Sequence, residues 1–324
     1  MFSIVIPVRD KPHFIARTLA SVLAQTYPGF EIVLVGDPAD ESLAIASRTC
    51  DARLRIVHQA NIGQGAARNA GIEASRGDWI AFLDADDLWF PDHLAVLDAV
   101  RTAHPDAGLI GTRFIDSDAQ GRFDLPANPQ GTIARVDYFD AVGRGGNILY
   151  TSSAAIPRLV FDRLGGFGNT HFGEDTEFWA RIALDYPVAA STRATVVYIH
   201  GTGGIIDSGR DRWARASLAS VRDISPAVAL AVDSYASIES IRQRRSRDRF
   251  IRRYVDWCLR TSIAQRDLRT IRRLRHIYWG MPTPTHVLLL AIAMLPDRLA
   301  HALYTLGFRL KAAARRADLR LARD

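Results

Sequence analysis

The chain has 324 residues, enough for one large α/β domain with an appendage or for two ordinary domains. Its composition, with 48% hydrophobic and 23% charged residues, is globular and excludes wholesale disorder, a collagenous repeat and a multi-span transporter. Cysteine occurs only at Cys50 and Cys258, which excludes a disulfide framework and a cysteine-based zinc cluster and favours a reducing compartment such as the cytoplasm.

Strand-like and helical segments alternate along the first third of the chain. Residues 2–8, FSIVIPV, are followed at once by charged residues and lack the length of a secretory signal, so they predict a first strand. The segments that continue the alternation are 14–25, 30–36, 41–49, 54–59, 65–75, 79–84 and 93–103. This pattern predicts a mostly parallel sheet with helices on both faces, in which ligands bind beyond the carboxyl ends of the strands.

The most informative stretch is DWIAFLDADDLW. A strand at residues 79–83 delivers Asp84, Asp86 and Asp87 into one turn at its carboxyl end, where their mutual repulsion favours a bound cation. Oxygen ligands of this kind suit Mg²⁺ or Mn²⁺, which also bind substrate phosphates. An exposed turn with an aspartate that caps a helix is the alternative.

Two further segments carry candidate ligand contacts. In NIGQGAARNAG, glycines open a helix whose first turns carry Arg68 and Asn69, a suitable place for phosphate or base contacts, although any glycine-capped helix start looks similar. His200 follows a predicted strand and is a candidate third metal ligand or diphosphate contact. A structural histidine is the more frequent role.

The later part of the chain is predicted less regular at first and then helical. Residues 105–155 are rich in Gly, Pro and Asn, a helix is predicted at 174–184 and a strand at 194–200, and everything beyond residue 213 reads as helical.

The basic residues are concentrated near the C-terminus. Within a net charge of +6, residues 241–324 hold 20 Lys or Arg against 6 Asp or Glu, which leaves 21 against 29 before residue 241. Leucines recur at 299, 303, 306 and 310 among arginines, which predicts an amphipathic helix on an anionic membrane surface, or one that packs on protein. No aromatic platform accompanies the arginines, so nucleic acid is not expected. The apolar run 286–295 is too short to span a bilayer, which takes about 20 helical residues.

Three ordered blocks resemble the signature blocks of the family 2 glycosyltransferases of GT-A fold. They are SIVIPVRDKPHFIARTLASVLAQTYPGFEIVLVGD, NIGQGAARNAGIEASRGDWIAFLDADDLW and GGFGNTHFGEDTEFWARI, and together they cover about residues 2–185. The resemblance implies a GT-A domain at 1–215. The remaining residues, 216–324, are expected to be a basic α-helical region, and its charge pattern alone predicts either association with the inner face of the cell membrane or packing on the catalytic domain.

The resemblance also implies the residues that hold the nucleotide. Pro7, Val8 and Arg9 match the end of the family's first strand, which lies along the nucleotide. Asp37 matches an acidic residue that contacts the nucleobase, and Arg68 matches a basic residue near the base and phosphates. Since Gly36 and Pro38 flank Asp37 where the family has two adjacent acids, the identity of the nucleobase stays open.

The catalytic residues implied by the resemblance are acidic. Asp84 and Asp86 match the D-x-D pair, with Asp86 as the direct ligand of Mn²⁺ or Mg²⁺ and Asp84 as a ribose or outer-sphere contact. Asp175 matches the aspartate of the E-D pair, which acts as general base on the acceptor hydroxyl. The alternative for Glu174 and Asp175 is favourable charge in the first turn of a helix.

Together these features predict an inverting, metal-dependent glycosyltransferase. Its donor is expected to be a nucleotide sugar with UDP, and its acceptor a glycan or lipid-linked acceptor in cell-envelope polysaccharide biosynthesis. The Q-x-x-R-W signature of processive members is absent, because Gly209 stands where the glutamine would be, so a single addition is expected. A nucleotidyltransferase and a catalytically inactive GT-A-like scaffold are the alternatives.

Overall fold

A computed structural model describes most of the chain. The described residues are 1–60, 63–117, 122–123, 130–145, 149–168, 173–202 and 221–264, with the single residues 270, 291, 295 and 299. The chain divides into two compact units, Met1–Asp207 and Ser208–Asp324. The functional boundary expected at residue 215 remains a prediction.

The first unit is built on a nine-stranded sheet. Its strands are β1 (Phe2–Val8), β2 (Phe30–Gly36), β3 (Leu54–His58), β4 (Trp79–Phe82), β5 (Leu88–Trp89), β6 (Leu109–Ser117), β7 (Ile133–Val136), β8 (Ala154–Pro157) and β9 (Val188–Ile199). Their order is β3-β2-β1-β4-β8-β6-β9-β5, and β7 pairs with β9. The sheet is parallel from β3 to β4, as predicted, and mixed beyond β4, where β8 runs antiparallel to both β4 and β6.

The helices of this unit cover the sheet through their apolar residues. They are α1 (Ile15–Leu23), α2 (Glu41–Ala46), α3 (Gln64–Ala74), α4 (His93–Ala103), α5 (Tyr138–Gly143), α6 (Arg158–Leu164) and α7 (Glu174–Asp185). In α1, Ile15, Leu19 and Val22 recur at helical spacing and are buried. In α3, Gly71 allows close approach to β1, because a Cβ there would lie 2.3 Å from a methyl carbon of Val5.

A buried histidine at the start of α4 makes the stability of this unit depend on pH. Burial lowers the pKa of His93 from 6.5 to about 3, and its Nδ1 lies 2.6 Å from Thr195 Oγ1. The unfolded chain therefore binds a proton below about pH 6.5 that the folded chain takes up only near pH 3. The contribution of neutral His93 to the free energy of unfolding is fully present above about pH 6.5 and is lost as the pH falls from there toward 3.

We expect His93→Asn, which keeps a polar atom near the Nδ1 position without titrating, to reveal this loss. The stability of the wild type relative to the variant should fall by about 1.4 kcal/mol for each pH unit below about 6. Urea unfolding at pH 7, 6 and 5 measures the difference. A difference that does not change with pH would contradict the assignment.

The second unit is helical where it is described. A 3₁₀ turn (Val221–Ile224) leads to α8 (Pro226–Asp233), whose first turn is capped by Ser225 Oγ, and a long helix α9 (Ile241–Ala264) follows. Among the helices in the described ranges, none combines the length and apolar character needed to cross a bilayer. The amphipathic helix expected from residue 299 onward and the apolar run 286–295 lie outside the described residues, apart from residues 291, 295 and 299.

Candidate active site

Arg68 joins the two predicted acidic clusters into one site. It lies in α3 and is 2% exposed. Its guanidinium donates from one terminal nitrogen to Asp84 Oδ1 at 2.8 Å and from the other to Glu174 Oε1 at 2.7 Å. Asp84 follows β4 and Glu174 begins α7, after Gly173 in the left-handed conformation (φ 74°) that favours glycine. The carboxyl end of β4 and the N-terminus of α7 therefore share one ionic centre.

The electrostatics of this centre keep Arg68 charged. Burial acts to lower the pKa of Arg68, but the carboxylates of Asp84 and Glu174 outweigh it and raise the pKa above its ordinary value. Burial and the neighbouring charge of Asp175 raise the pKa of Glu174, against the attraction of Arg68. The predicted nucleotide contact is thus bonded to two carboxylates.

A lysine that the sequence analysis did not identify neutralises the second aspartate of the D-x-D pair. Lys11, just beyond β1, places Nζ 2.7 Å from Asp86 Oδ2. The same ammonium donates to the carbonyl oxygen of Thr202 at 2.9 Å, and Thr202 Oγ1 donates to Asp86 Oδ2 at 2.6 Å. Lys11 and Thr202 are 191 positions apart, so no local pattern marks the pair.

Residues 150–152, which we call the hydroxyl turn, contact three carboxylates of the site. Tyr150 Oη donates to Asp84 Oδ2 at 3.1 Å, Thr151 Oγ1 donates to Asp175 Oδ2 at 2.9 Å and Ser152 Oγ donates to Asp87 Oδ2 at 2.5 Å. These residues lie in the section that the sequence predicts to be irregular. Their only signal is that they begin a run of four consecutive hydroxyl side chains, residues 150–153, directly before a strand.

Asp87 is the buried member of the acidic turn at residues 84–87. Burial, followed by the charges of Asp84 and Asp86, raises its pKa well above the ordinary value. Its other oxygen accepts a hydrogen bond from the backbone N–H of Ile199 at 3.2 Å. Asp87 therefore ties the acidic turn to β9 and to the hydroxyl turn.

The remaining predicted residues have other partners. Pro7 and Val8 end β1, whereas Arg9 is exposed and pairs with Asp10. Asp37 follows β2, and its carboxylate accepts from the backbone of Ala39. The amide of Asn69 holds the backbone of Phe167 through two hydrogen bonds, so this predicted ligand contact braces the glycine-rich segment before α7.

His200 lies beside the site without joining the acidic turn in the described residues. Its Nε2 is 2.9 Å from Asp116 Oδ1, and the ring packs edge-on against Tyr198. The chain instead reaches Asp86 two residues later, through Thr202. A role for His200 at a metal remains a prediction.

The donor set decides which kind of metal site these residues fit. In the described parts of the chain, no three His, Cys, Asp or Glu side chains are grouped so as to hold an ion by themselves. Mg²⁺ and Mn²⁺ are commonly held by one or two carboxylates together with substrate phosphates. Asp84 is bonded through both oxygens, but no described residue donates to Asp86 Oδ1. The residues therefore fit an ion that Asp86 holds jointly with a bound diphosphate.

Comparison with known proteins yields a family and a fold. The model of the family described as Glycosyl transferase family 2 matches residues 3–165, half of the chain. The succinoglycan biosynthesis protein ExoW of Rhizobium meliloti (strain 1021) is 40% identical over 100 residues, 28% of this chain and 31% of that protein. Six other curated relatives are likewise matched over 14% to 32% of their own length, and the uncharacterized glycosyltransferase YwdF of Bacillus subtilis (strain 168), at 27% identity, over 75%.

Two solved structures are similar to this chain in fold. That of S. aureus TarS 1–349 in complex with UDP-GlcNAc has a TM-score of 0.67 and 18% identity, with 96% of this chain and 92% of that one covered. That of the mannosyltransferase PcManGT from Pyrobaculum calidifontis, in complex with GDP-Man and Mn²⁺, has a TM-score of 0.54 and 19% identity, covering 94% and 84%. These likenesses confirm the predicted GT-A fold.

Proposed function

Because this chain belongs to glycosyl transferase family 2, we propose that it is an inverting glycosyltransferase that takes its sugar from a UDP-linked donor. The observation that carries the proposal is the ion-paired chain from Asp84 through Arg68 to Glu174, which brings the start of α7, where Asp175 follows Glu174, next to the acidic turn. A displacement at a sugar carbon needs a proton acceptor on one face and a neutralised leaving group on the other. Asp175 and the acidic turn are suited to these two tasks.

The chain's own residues divide the work of a single displacement. The carboxylate of Asp175 accepts the proton of the acceptor hydroxyl as that oxygen attacks the sugar carbon. The donor's diphosphate leaves from the opposite side, so the configuration inverts and no protein nucleophile is needed. Arg68, held by two carboxylates, fixes the distance between the two sides, and such fixed positions account for a large part of catalysis.

The metal expected in this reaction is Mn²⁺ or Mg²⁺, with Asp86 as its protein ligand. When bound, the ion neutralises charge on the leaving diphosphate. The ammonium of Lys11 contacts Asp86 Oδ2, and its positive charge repels a metal ion bound at the same carboxylate. The use of Mn²⁺ is supported by the family and by the mannosyltransferase, whose structure contains that ion.

The acceptor proposed is a hydroxyl of a glycan or of a lipid-linked glycan. A relative named for succinoglycan biosynthesis supports a place in polysaccharide synthesis. The basic region at 241–324, with 20 Lys or Arg, supports attachment to an anionic membrane on the cytoplasmic side.

A panel of UDP, GDP and dTDP sugars tests the function, with Mn²⁺, Mg²⁺ or EDTA present. We expect a UDP sugar with Mn²⁺ to raise the melting temperature most and to be hydrolysed slowly to UDP, because a ligand that binds only the folded state stabilises it. A larger rise in melting temperature with a GDP sugar would show that the donor carries guanine and not uracil. Failure of every nucleotide to bind would contradict the function.

Two variants of the acidic turn and its lysine test the metal site directly. Asp86→Asn should weaken Mn²⁺ binding about tenfold or more, because the charged oxygen ligand is lost, whereas Lys11→Met should strengthen it because a competing cation is removed. Calorimetric titration of Mn²⁺ in the presence of UDP measures both. Unchanged Mn²⁺ affinity in Asp86→Asn would exclude Asp86 as the ligand.

A further inference from the structure

The hydroxyl turn contacts both halves of the proposed site. Tyr150 and Ser152 bond to Asp84 and Asp87 of the acidic turn, and Thr151, between them, bonds to Asp175 at the start of α7. Three adjacent residues thus reach the donor side and the acceptor side at once. This connection is independent of Arg68, which bonds to Glu174 and not to Asp175.

The backbone holds this turn in place against the central sheet. Residues Thr151–Ser153 form a 3₁₀ turn that leads directly into β8, and β8 pairs with β4 through Ala155 and Ala81. Trp89 Nε1 donates to the carbonyl oxygen of Ser152 at 2.7 Å, and the backbone N–H of Asp84 donates to Ser152 Oγ at 3.1 Å. The hydroxyl turn and the acidic turn are therefore joined by hydrogen bonds into one unit.

The side chains of the hydroxyl turn stay protonated at neutral pH and can donate hydrogen bonds. The phenol of Tyr150 keeps its proton at neutral pH, because a phenol ordinarily ionises only at about pH 10. The aliphatic hydroxyls of Thr151 and Ser152 do not ionise in this range. Each can therefore hold its carboxylate oxygen in a fixed orientation.

Asp175 is held through both of its oxygens. Oδ1 accepts from the backbone N–H of Thr176 at 2.6 Å and Oδ2 accepts from Thr151 Oγ1 at 2.9 Å. Thr176 belongs to the same helix turn and moves with Asp175, whereas Thr151 belongs to the unit formed with the acidic turn. The Thr151 bond is thus the contact that sets the carboxylate relative to the donor side.

We infer that Thr151 is a positioning residue that orients the Asp175 carboxylate toward the acceptor hydroxyl. The inference rests on the proposed function, because it takes Asp175 as the general base. In the proposed reaction Asp175 does not contact the nucleotide. Displacement of its carboxylate should therefore lower the turnover number and leave the affinity for UDP unchanged. General bases act only over hydrogen-bond distances, and a shift of about 1 Å in a reacting group lowers rates about 10²-fold.

The test compares Thr151→Val, which keeps the shape and removes the hydroxyl, with Thr151→Ser, which keeps the hydroxyl. The readouts are kcat for hydrolysis of the best UDP sugar of the panel, with water as acceptor, and the Kd of UDP by calorimetry. We expect Thr151→Val to lower kcat about 10- to 100-fold with the Kd within about twofold, and Thr151→Ser to stay within about threefold of wild type. If Thr151→Val does not fold, Thr151→Cys, with its weaker donor, replaces it.

A matched control separates positioning from packing. Thr112 is a fully buried threonine in β6 whose hydroxyl also takes part in one side-chain hydrogen bond, with Thr195 at 2.8 Å. Thr112→Val should lower the melting temperature and leave kcat unchanged.

Three results would overturn the inference. They are a kcat of Thr151→Val within about twofold of wild type, a Kd of UDP that weakens in parallel with kcat, and a Thr151→Ser as defective as Thr151→Val. Two other failures are distinguishable from this one. If Asp175 is not the base, Asp175→Asn hydrolyses the donor at the wild-type rate, and if the proposed function is wrong, the wild-type protein binds none of the nucleotides.

Discussion

Asparagine in place of Asp175 is expected to lower the turnover number about 10²- to 10⁴-fold, the contribution typical of a general base. The amide has nearly the shape of the carboxylate, and its single oxygen can accept from Thr151 or from the Thr176 backbone N–H, but it cannot take up the proton of the acceptor hydroxyl. The affinity for UDP should stay within about twofold, since the nucleotide is held on the other side of the site. Initial rates of UDP release and calorimetry measure the two quantities.

The same substitution at the other end of α7 provides the control. Asp185 ends the helix and is exposed, so Asp185→Asn changes the charge by the same amount without touching the site. Its turnover should equal that of the wild type. If Asp175→Asn is as active as Asp185→Asn, the assignment of the base is wrong.

Removal of the Arg68 guanidinium has the largest expected effect on stability. Arg68→Met leaves Asp84 and Glu174 with no cation between them, in a place where the arginine is 2% exposed. Breaking a buried ion pair by removing one partner typically costs about 3–5 kcal/mol, because a buried charge is left uncompensated. Urea unfolding at pH 7 should show a loss of this size.

Two further variants make the result specific to the buried charges. Arg68→Met with Glu174→Gln removes one of the two stranded carboxylates and should recover part of the loss. Arg135→Met breaks an ion pair with Asp106 whose side chains are 58% and 52% exposed, and it should change stability little. Equal effects of Arg68→Met and Arg135→Met would show that burial of the pair does not matter.

Two residues expected to contact a ligand also have protein partners in the structure, and their contact with a ligand remains a prediction. Arg68 and Asn69 both lie in the first turns of α3, where the glycine-rich start suggested phosphate contacts. In the folded chain Arg68 is bonded to Asp84 and Glu174, and Asn69 is bonded to the backbone of Phe167. A sequence shows the residue type and its helix position, but the partner of a long side chain comes from another element.

The fold class, the acidic turn and the acidic start of α7 follow from residues close together in the chain. Continuous apolar runs such as residues 2–8 and 30–36 specify strands covered on both faces, and the aspartates after β4 follow from the end of one such run. Each of these features is local, because neighbouring residues alone determine the apolar run of a strand and the charges of one turn.

The pairings that complete the site arise only when distant segments meet. Glu174 is 106 positions from Arg68, and Lys11 meets Thr202 across 191 positions. The hydroxyl turn reaches the acidic turn because β8 inserts antiparallel beside β4, a pairing that depends on the register of the whole sheet. Burial and charge then select partners among the side chains that this register brings together, and no short stretch of sequence contains that information.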